Sequence, residues 1–413
     1  MRLSSSSIMT MLILLFTSSI LSVNAQNQKS LNRIALRAKR MIDVRSGKEI
    51  TDVVILIEKN KIVGMGPDLK IPDSVQIIAL GDVTLLPGLI DAHTHLLHQY
   101  YARYGDDNSN RLLEMIQLGP AKRALLGARL AREMLEAGFT AVRDLGNSGI
   151  NADIALRDAI NNGDVIGPRM FVSTRALSPV GGQFQSVTPE AQQLLSQEYV
   201  QISGVEEARK AVRQAIFDGA DCIKVIVNAG SRRLSFDEMK VIVEEAKRAS
   251  LPVAAHATDG DSPSMTAAEA GVSSIEHAYT ISESVLNLMA QKNIFLVPTD
   301  VPGVTKYQDR IKRALKAGVR IAIGSDIYYE FPGNTRGKVC AGMYKTYIAS
   351  GMTNIEVLRS ATINPADLIG NNSIGAIEVG RFADIIAVKG NPLTDISALE
   401  QVVFVMKDGK VYK

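Results

Sequence analysis

The chain has 413 residues, of which 46% are hydrophobic and 22% are charged, and its formal net charge is +3. This length allows one large domain or one large and one small domain, and the composition is ordinary for a soluble globular enzyme. The charge is too small for a nucleic-acid surface and the chain has no dense run of lysine and arginine. Nucleic acid is therefore excluded as a partner.

Residues 1–25 predict a secretory signal peptide. Arg2 precedes an apolar core, and the sequence VNA at 23–25 has small residues at the cleavage positions. The apolar run is shorter than the ~20 residues that a membrane span requires, so an uncleaved anchor is the less favoured alternative. We expect export to the periplasm or beyond the cell, with no stable membrane insertion after cleavage.

The two ends of the mature chain predict small β units. Residues 26–86 and 378–413 both show short alternating strands separated by turn residues. The simplest arrangement joins them into one small β-sandwich.

The middle of the chain, residues 87–377, predicts a (β/α)8 barrel of the α/β class. Eight short apolar runs alternate there with stretches of helical period, of which "AKRALLGARLAREMLEAG" is one. A doubly wound open sheet is the alternative. It would more naturally carry a glycine-rich phosphate loop after its first strand, and the sequence has none.

Four of the five histidines fall at predicted strand ends. His93 and His95 close strand 1, His256 closes strand 5 and His277 closes strand 6. Catalytic residues of a barrel lie at the C-terminal ends of its strands, and residues two apart on a strand share a face. We therefore expect all four side chains to face one rim, whereas His98 should lie outside this group.

Two charged residues interrupt apolar strands at matching depths. Lys224 lies in strand 4 and Asp326 ends strand 8, and a buried charge is costly without a partner. Imidazoles and a carboxylate suit zinc or another divalent transition metal. Lys224 as an ammonium cannot bind a cation. It either reacts with carbon dioxide to give a carbamate that bridges two ions, or remains a cation that contacts an anionic substrate.

Several motifs in this order resemble the amidohydrolase superfamily, specifically its binuclear members with a carboxylated lysine. They are "PGLIDAHTH", "GADCIKV", "VAAHAT", "SIEHA" and "AIGSD", and the likeness covers essentially the whole mature chain. The phrases "AGFTAVRDLG", "GPRMFVSTRALSPVGGQ" and "GVSSIEHAY" are similar to the imidazolonepropionase-related, Xaa-Pro-dipeptidase-like (prolidase-like) group.

The resemblance implies a ligand assignment and a reaction. One divalent ion would be held by His93, His95 and Asp326, and a second by His256 and His277, with N6-carboxylated Lys224 between them. Zinc is the expected metal and carbon dioxide the source of the carboxyl group. A hydroxide between the ions would attack the amide or peptide bond of a dipeptide or an N-acyl amino acid, with Asp326 moving the proton and His277 adjoining the substrate.

Substrate contacts are expected in the loops beyond the strands. A terminal carboxylate is best met by arginine or tyrosine, and the candidates are Tyr101, Arg175, Tyr279 and Tyr328. Gln183 is a further candidate. It follows a glycine pair, and many relatives carry a histidine at this position.

Other functions remain open at this point. The same metal site could serve a lactonase, a cyclic-imide hydrolase of the imidazolonepropionase kind, or a phosphotriester hydrolase. A non-catalytic scaffold is disfavoured because every expected ligand is present. The sequence leaves a homo-oligomer open.

Overall fold

The computed structural model describes residues 33–413, so the predicted signal peptide lies outside the described residues. The strands are β1 (Arg33–Asp43), β2 (Lys48–Glu58), β3 (Lys61–Gly66), β4 (Gln76–Pro87), β5 (Leu89–Thr94), β6 (Phe139–Asp144), β7 (Arg169–Val172), β8 (Ala176–Pro179), β9 (Tyr199–Ile202), β10 (Ile223–Ile226), β11 (Asn228–Ala229), β12 (Arg232–Arg233), β13 (Val253–Ala257), β14 (Ser274–His277), β15 (Phe295–Val297), β16 (Ile385–Val388), β17 (Val402–Lys407) and β18 (Lys410–Val411).

The helices lie between the strands through the middle of the chain. They are α1 (Asp107–Gln117), α2 (Pro120–Glu136), α3 (Ala152–Asn162), α4 (Pro189–Leu195), α5 (Val205–Asp218), α6 (Phe236–Arg248), α7 (Asp261–Ala270), α8 (Glu283–Gln291), α9 (Asp309–Lys316), α10 (Arg336–Gly342), α11 (Tyr344–Ala349), α12 (Asn354–Ser360) and α13 (Ile363–Ile369), with 3-10 turns at Ala102–Tyr104 and Ile396–Glu400. None of these helices within residues 33–413 has both the length and the apolar character that a membrane span needs.

Both chain ends contribute to one seven-stranded sheet. Its order is β18-β17-β16-β4-β1-β2-β3, and only the β1–β4 pairing is parallel. The sheet folds over itself, so that Lys61 at the start of β3 pairs with Phe382 just before β16. Alternate side chains from the two halves, such as Ile55 and Phe404, share one core. The prediction of a β unit built from both ends is confirmed.

Most of the remaining strands close into a barrel. Strands β5–β6–β7 and β10–β13–β14–β15 run parallel within two sheets. The extended segment 320–326 supplies the eighth strand: Ala322 N donates to Leu296 O at 3.0 Å, and Ala92 N donates to Ile323 O at 3.0 Å. On the other side, Asp221 N donates to Val172 O at 2.8 Å. The predicted (β/α)8 barrel is confirmed, and the open doubly wound sheet is excluded.

One predicted strand is divided in two. The run "RMFVSTRALS" forms β7 and β8, and the chain turns between them at Thr174, whose φ is 60°. A left-handed backbone angle cannot continue a strand. As a result β8 leaves the barrel wall and pairs in parallel with β9 and β10, next to the C-terminal rim.

Candidate functional site

The six strand-end residues meet at one cavity of about 210 Å³. They come from five strands on the C-terminal rim of the barrel, where catalytic groups of this fold lie. The cavity is lined by His93, His95, Lys224, His256, His277 and Asp326 together with His98, Arg111, Leu145, Asn147, Ala176, Gln183, Ile226, Thr258, Tyr279 and Tyr328. The structure therefore brings together every residue that the sequence nominated for the metal centre.

His93 is held by a buried acid across the barrel. Its Nδ1 lies 2.7 Å from Glu276 Oε2, and Glu276 in turn accepts from Arg143 Nη2 at 2.9 Å. Arg143 also donates to the carbonyl of Ala92 at 2.7 Å, and both charged side chains are fully buried. With Nδ1 occupied, Nε2 of His93 is the nitrogen that faces the cavity.

Sequence reasoning missed Glu276 and Arg143, although both left a signal. Each is a charged residue inside an otherwise apolar buried strand, in "SIEH" and "TAVRD". Such residues are rarely buried without a partner. Glu276 is next to His277 in sequence, and its side chain extends to the imidazole of His93, which it supports.

His95 is oriented by the backbone. Its Nδ1 lies 2.9 Å from the carbonyl of Gly146, so its Nε2 is directed to Asp326 Oδ1 at 3.2 Å. His93 Nε2 lies 3.6 Å from the same carboxylate oxygen. The ligand atoms of these three residues all lie within 4.8 Å of one another. This donor set of two imidazoles and one carboxylate fits a divalent transition metal.

His256 and His277 form the adjoining part of the site. Their ring centroids are 4.6 Å apart, and His277 is 5.1 Å from His93. His277 Nδ1 contacts Thr299 Oγ1 at 2.8 Å and lies 3.7 Å from Asp326 Oδ2. The two histidines are therefore close enough to the first three residues to belong to one cluster.

Lys224 projects from β10 into the middle of the cluster. Its Nζ lies 3.4 Å from His93 Nε2, and the residue is 3% exposed. Burial lowers the pKa of Lys224 to about 8, against the opposing effects of Glu276 and Asp326. The amine of Lys224 is thus partly neutral near neutral pH, whereas an unperturbed lysine is almost entirely charged.

The pKa values of the other groups favour metal binding. Burial and the charge of Lys224 lower the pKa of His93 to about 4 and that of His256 to about 3. Burial alone would raise the pKa of Asp326, but His93 and the other neighbouring histidines lower it far below its usual range. Neutral imidazoles beside an ionised carboxylate are the forms that coordinate a cation.

Two residues of the cluster have strained backbones. His277 has a φ of 67° and Asp326 a φ of 50°, in the left-handed region that non-glycine residues rarely adopt. Such strain is typical of functional sites. Next to Asp326, Gly324 is required because a Cβ there would lie 2.4 Å from the Cβ of His93.

Asp91 supports the backbone and does not contact an imidazole. Its Oδ1 accepts from the backbone N–H of His93 at 3.1 Å and from that of Ser325 at 2.9 Å. It therefore fixes strand β5 against the segment that carries Asp326. His98 lies at the cavity wall, where its Nδ1 is hydrogen-bonded to Glu114 and its ring lies 5.1 Å from that of Tyr328.

Three of the five predicted substrate contacts line the cavity. They are Gln183, Tyr279 and Tyr328. Gln183 Oε1 accepts from Tyr199 Oη at 3.0 Å, which directs its amide nitrogen to His256 Nε2 at 3.3 Å. Burial and the nearby Asp326 raise the pKa of Tyr279 to about 12, so this phenol stays protonated and can donate.

The other two predicted contacts, Tyr101 and Arg175, lie outside this cavity lining. Tyr101 packs against Tyr104 and Arg103 on an outer turn, with ring centroids 5.7 Å apart for the two tyrosines. Arg175 follows the turn at Thr174, and its Nη1 donates to the carbonyl of Ser196 at 2.8 Å. Neither side chain is part of the cavity lining described above.

The chain matches known proteins over most of its length. A family model described as the amidohydrolase family matches residues 84–412. Ochratoxinase from Aspergillus niger is 32% identical, and the alignment covers 89% of this chain and 84% of that protein. Imidazolonepropionase from Fusobacterium nucleatum is 28% identical over 80% of this chain and 83% of that protein.

A solved structure shows the same architecture. The crystal structure of a prolidase complexed with N-methylphosphonate-L-proline superposes with a TM-score of 0.81. The two chains are 28% identical, and the match covers 92% of this chain and 99% of that one.

Proposed function

This chain belongs to the amidohydrolase family and is a hydrolase, and we propose that it cleaves the amide or peptide bond of dipeptides or N-acyl amino acids. The observation that carries the proposal is the convergence of four histidines, Lys224 and Asp326 on one small cavity. The likeness to a prolidase solved with N-methylphosphonate-L-proline supports an N-substituted amino acid as the substrate.

The proposed metal centre would hold two divalent ions, with zinc the expected metal. His93, His95 and Asp326 would bind one ion, and His256 and His277 the other. Lys224 would join them after its neutral amine adds to the carbon of carbon dioxide and releases a proton, which gives an anionic carbamate. Ions bound there would polarise the scissile carbonyl and lower the pKa of a water molecule.

The carboxylate of Asp326 would then transfer the proton. Asp326 has one carboxylate oxygen 3.2 Å from His95 and the other 3.7 Å from His277. It would accept the proton of the attacking water and deliver it to the departing amine. His277 and Tyr279, whose ring centroids are 5.7 Å apart, would lie against the substrate on the same side as Asp326.

The proposal extends to the location of the protein. The apolar N-terminal segment and the small residues at 23–25 support export and cleavage after Ala25. Expression of the full chain with N-terminal sequencing of the exported protein tests this. A mature N-terminus at Gln26 is expected, and an intact N-terminus on a cell-retained protein would contradict it.

A substrate panel distinguishes the proposed reaction from its rivals. Purified protein is assayed with dipeptides, N-acyl amino acids, cyclic imides, lactones and phosphotriesters, and Asp326→Asn serves as the matched inactive control. The similarity to an imidazolonepropionase makes cyclic imides the strongest rival class. We expect the highest kcat/KM with dipeptides or N-acyl amino acids. Turnover confined to any of the other classes would overturn the proposal.

A further inference from the structure

Arg111 stands out in the wall of the cavity. Of the lysine and arginine side chains within residues 33–413, only Lys224 and Arg111 line it. Lys224 lies among the histidines, whereas Arg111 comes from helix α1, which sequence reasoning did not connect with the site. The mechanism described above uses Lys224 and leaves Arg111 without a role.

The guanidinium of Arg111 is buried and incompletely paired. Its side chain is 14% exposed, and its Nε has no hydrogen-bond partner among the described residues. Nη2 is paired with Asp107, while Nη1 reaches Tyr199 Oη only at 3.4 Å. A guanidinium has five N–H donors, and a buried donor without an acceptor is costly. The unused donors therefore favour an additional acceptor.

The surroundings hold Arg111 in place beside the cavity. Its guanidinium carbon lies 5.3 Å from the ring centroid of Phe184, which restricts the side chain from one face. Tyr199, which contacts Arg111, also donates to Gln183 Oε1 at 3.0 Å. A continuous set of contacts thus joins Arg111 to the amide nitrogen that faces His256.

We propose that Arg111 binds the α-carboxylate of the substrate and makes the enzyme selective for a free C-terminal acid. The inference rests on the proposed function, because dipeptides and N-acyl amino acids share only this anionic group. An arginine fork matches a carboxylate in geometry as well as charge. Asp107 offsets part of the charge of Arg111, yet it occupies only one of the guanidinium nitrogens. Arg111 and the histidines line the same cavity of about 210 Å³, which places them in one binding site.

The test compares acid and amide forms of the same substrate. A dipeptide and an N-acyl amino acid are each assayed as the free acid and as the C-terminal amide, with wild type, Arg111→Gln and Arg111→Lys. Arg132→Gln is the control, because Arg132 is 61% exposed on the outside of helix α2. Circular dichroism confirms that each variant is folded.

We expect Arg111→Gln to lower kcat/KM for the acids about 10- to 100-fold, the range of a charged hydrogen bond, mainly through KM. The amides should change about threefold or less, and Arg111→Lys should recover part of the loss because it keeps the charge without the fork. Retention of the full acid preference by Arg111→Gln would overturn the inference. If Arg175→Gln loses the acid preference instead, the carboxylate binds Arg175, and the inference is likewise overturned.

A binding measurement separates this inference from the proposed reaction. Calorimetric titration of Asp326→Asn protein with the N-acyl amino acid is repeated on Asp326→Asn/Arg111→Gln. Weaker binding by about 10-fold or more is expected in the double variant. If wild type hydrolyses none of these compounds, the proposed function fails, and the titration alone still decides whether Arg111 binds the carboxylate. Equal affinity in the two proteins would overturn its role.

Discussion

Two walls of one cavity are built in different ways. The strand-end wall consists of His93, His95, Lys224, His256, His277 and Asp326. The loop wall consists of Arg111, Gln183 and Tyr328. Strand-end imidazoles are fixed by contacts of 2.7 to 2.9 Å to groups such as Glu276, Gly146 and Thr299.

The loop wall is held by contacts of mixed length: Arg111 pairs closely with Asp107, Gln183 Oε1 accepts from Tyr199 at 3.0 Å, and Arg111 reaches Tyr199 only at 3.4 Å. Rigid strands position reacting groups, whereas connecting segments carry the residues that select a substrate. Changes in the strand-end wall should therefore reduce kcat, and changes in the loop wall should act mainly on the choice and affinity of substrate.

The largest effect is expected from Asp326→Asn. The amide cannot accept a proton, although it keeps the size of the side chain. We expect kcat to fall about 100- to 10,000-fold, the range for a general acid–base group. Steady-state kinetics measure it. A variant that keeps more than half of the wild-type kcat would remove Asp326 from the proposed mechanism.

Lys224→Ala should lower both bound metal and activity. The loss of a group that supports a metal ligand commonly costs 10- to 100-fold, so the loss of a ligand should lower kcat/KM by at least about 100-fold. Short carboxylic acids should restore part of the activity, because they can replace the carbamate oxygens. Undiminished metal content and kcat/KM would show that Lys224 is no ligand.

Glu276→Gln tests the support beneath the strand-end wall. The substitution leaves Arg143 buried without a counter-charge, which should lower the free energy of unfolding by about 3 kcal/mol. Metal affinity should fall about 10- to 100-fold as His93 exchanges its carboxylate partner for a neutral amide. Urea unfolding and metal titration measure the two effects.

The control for this variant is Glu58→Gln. Glu58 pairs with Arg33 on the sheet of the chain ends, where the two side chains are 41% and 42% exposed. Exposed pairs contribute little to stability. If Glu58→Gln lowered the free energy of unfolding as much as Glu276→Gln, burial of the Glu276–Arg143 pair would add nothing to stability.

The smallest effect is expected from Gln183→Leu in the loop wall. The variant removes one hydrogen-bonding amide at nearly constant size, so kcat/KM should fall about tenfold. Gln183→His should retain more activity, since an imidazole can also donate. Metal content should match that of wild type in both variants. Loss of metal from Gln183→Leu would place Gln183 in the strand-end wall and break the distinction between the two walls.

The sequence predicts the strand-end wall better than the loop wall for a physical reason. Strand ends can be read from local patterns, and parallel strands of a barrel bring their C-terminal ends to one rim, which places His256 and Asp326 together without further information. No such rule predicts where the side chains of helix α1 and of the turn at Thr174 lie. Consequently the sequence does not indicate Arg111, and it indicates Arg175, which does not line the cavity.

The metal content of the purified enzyme tests the central claim most directly. Elemental analysis of the wild-type protein, followed by removal of metal with a chelator and stepwise return of zinc, gives the number of ions and their relation to turnover. We predict two divalent ions per chain, loss of dipeptide or N-acyl-amino-acid hydrolysis in the metal-free protein, and recovery as the sites fill. Full activity in metal-free protein, or saturation at one ion per chain, would contradict the account.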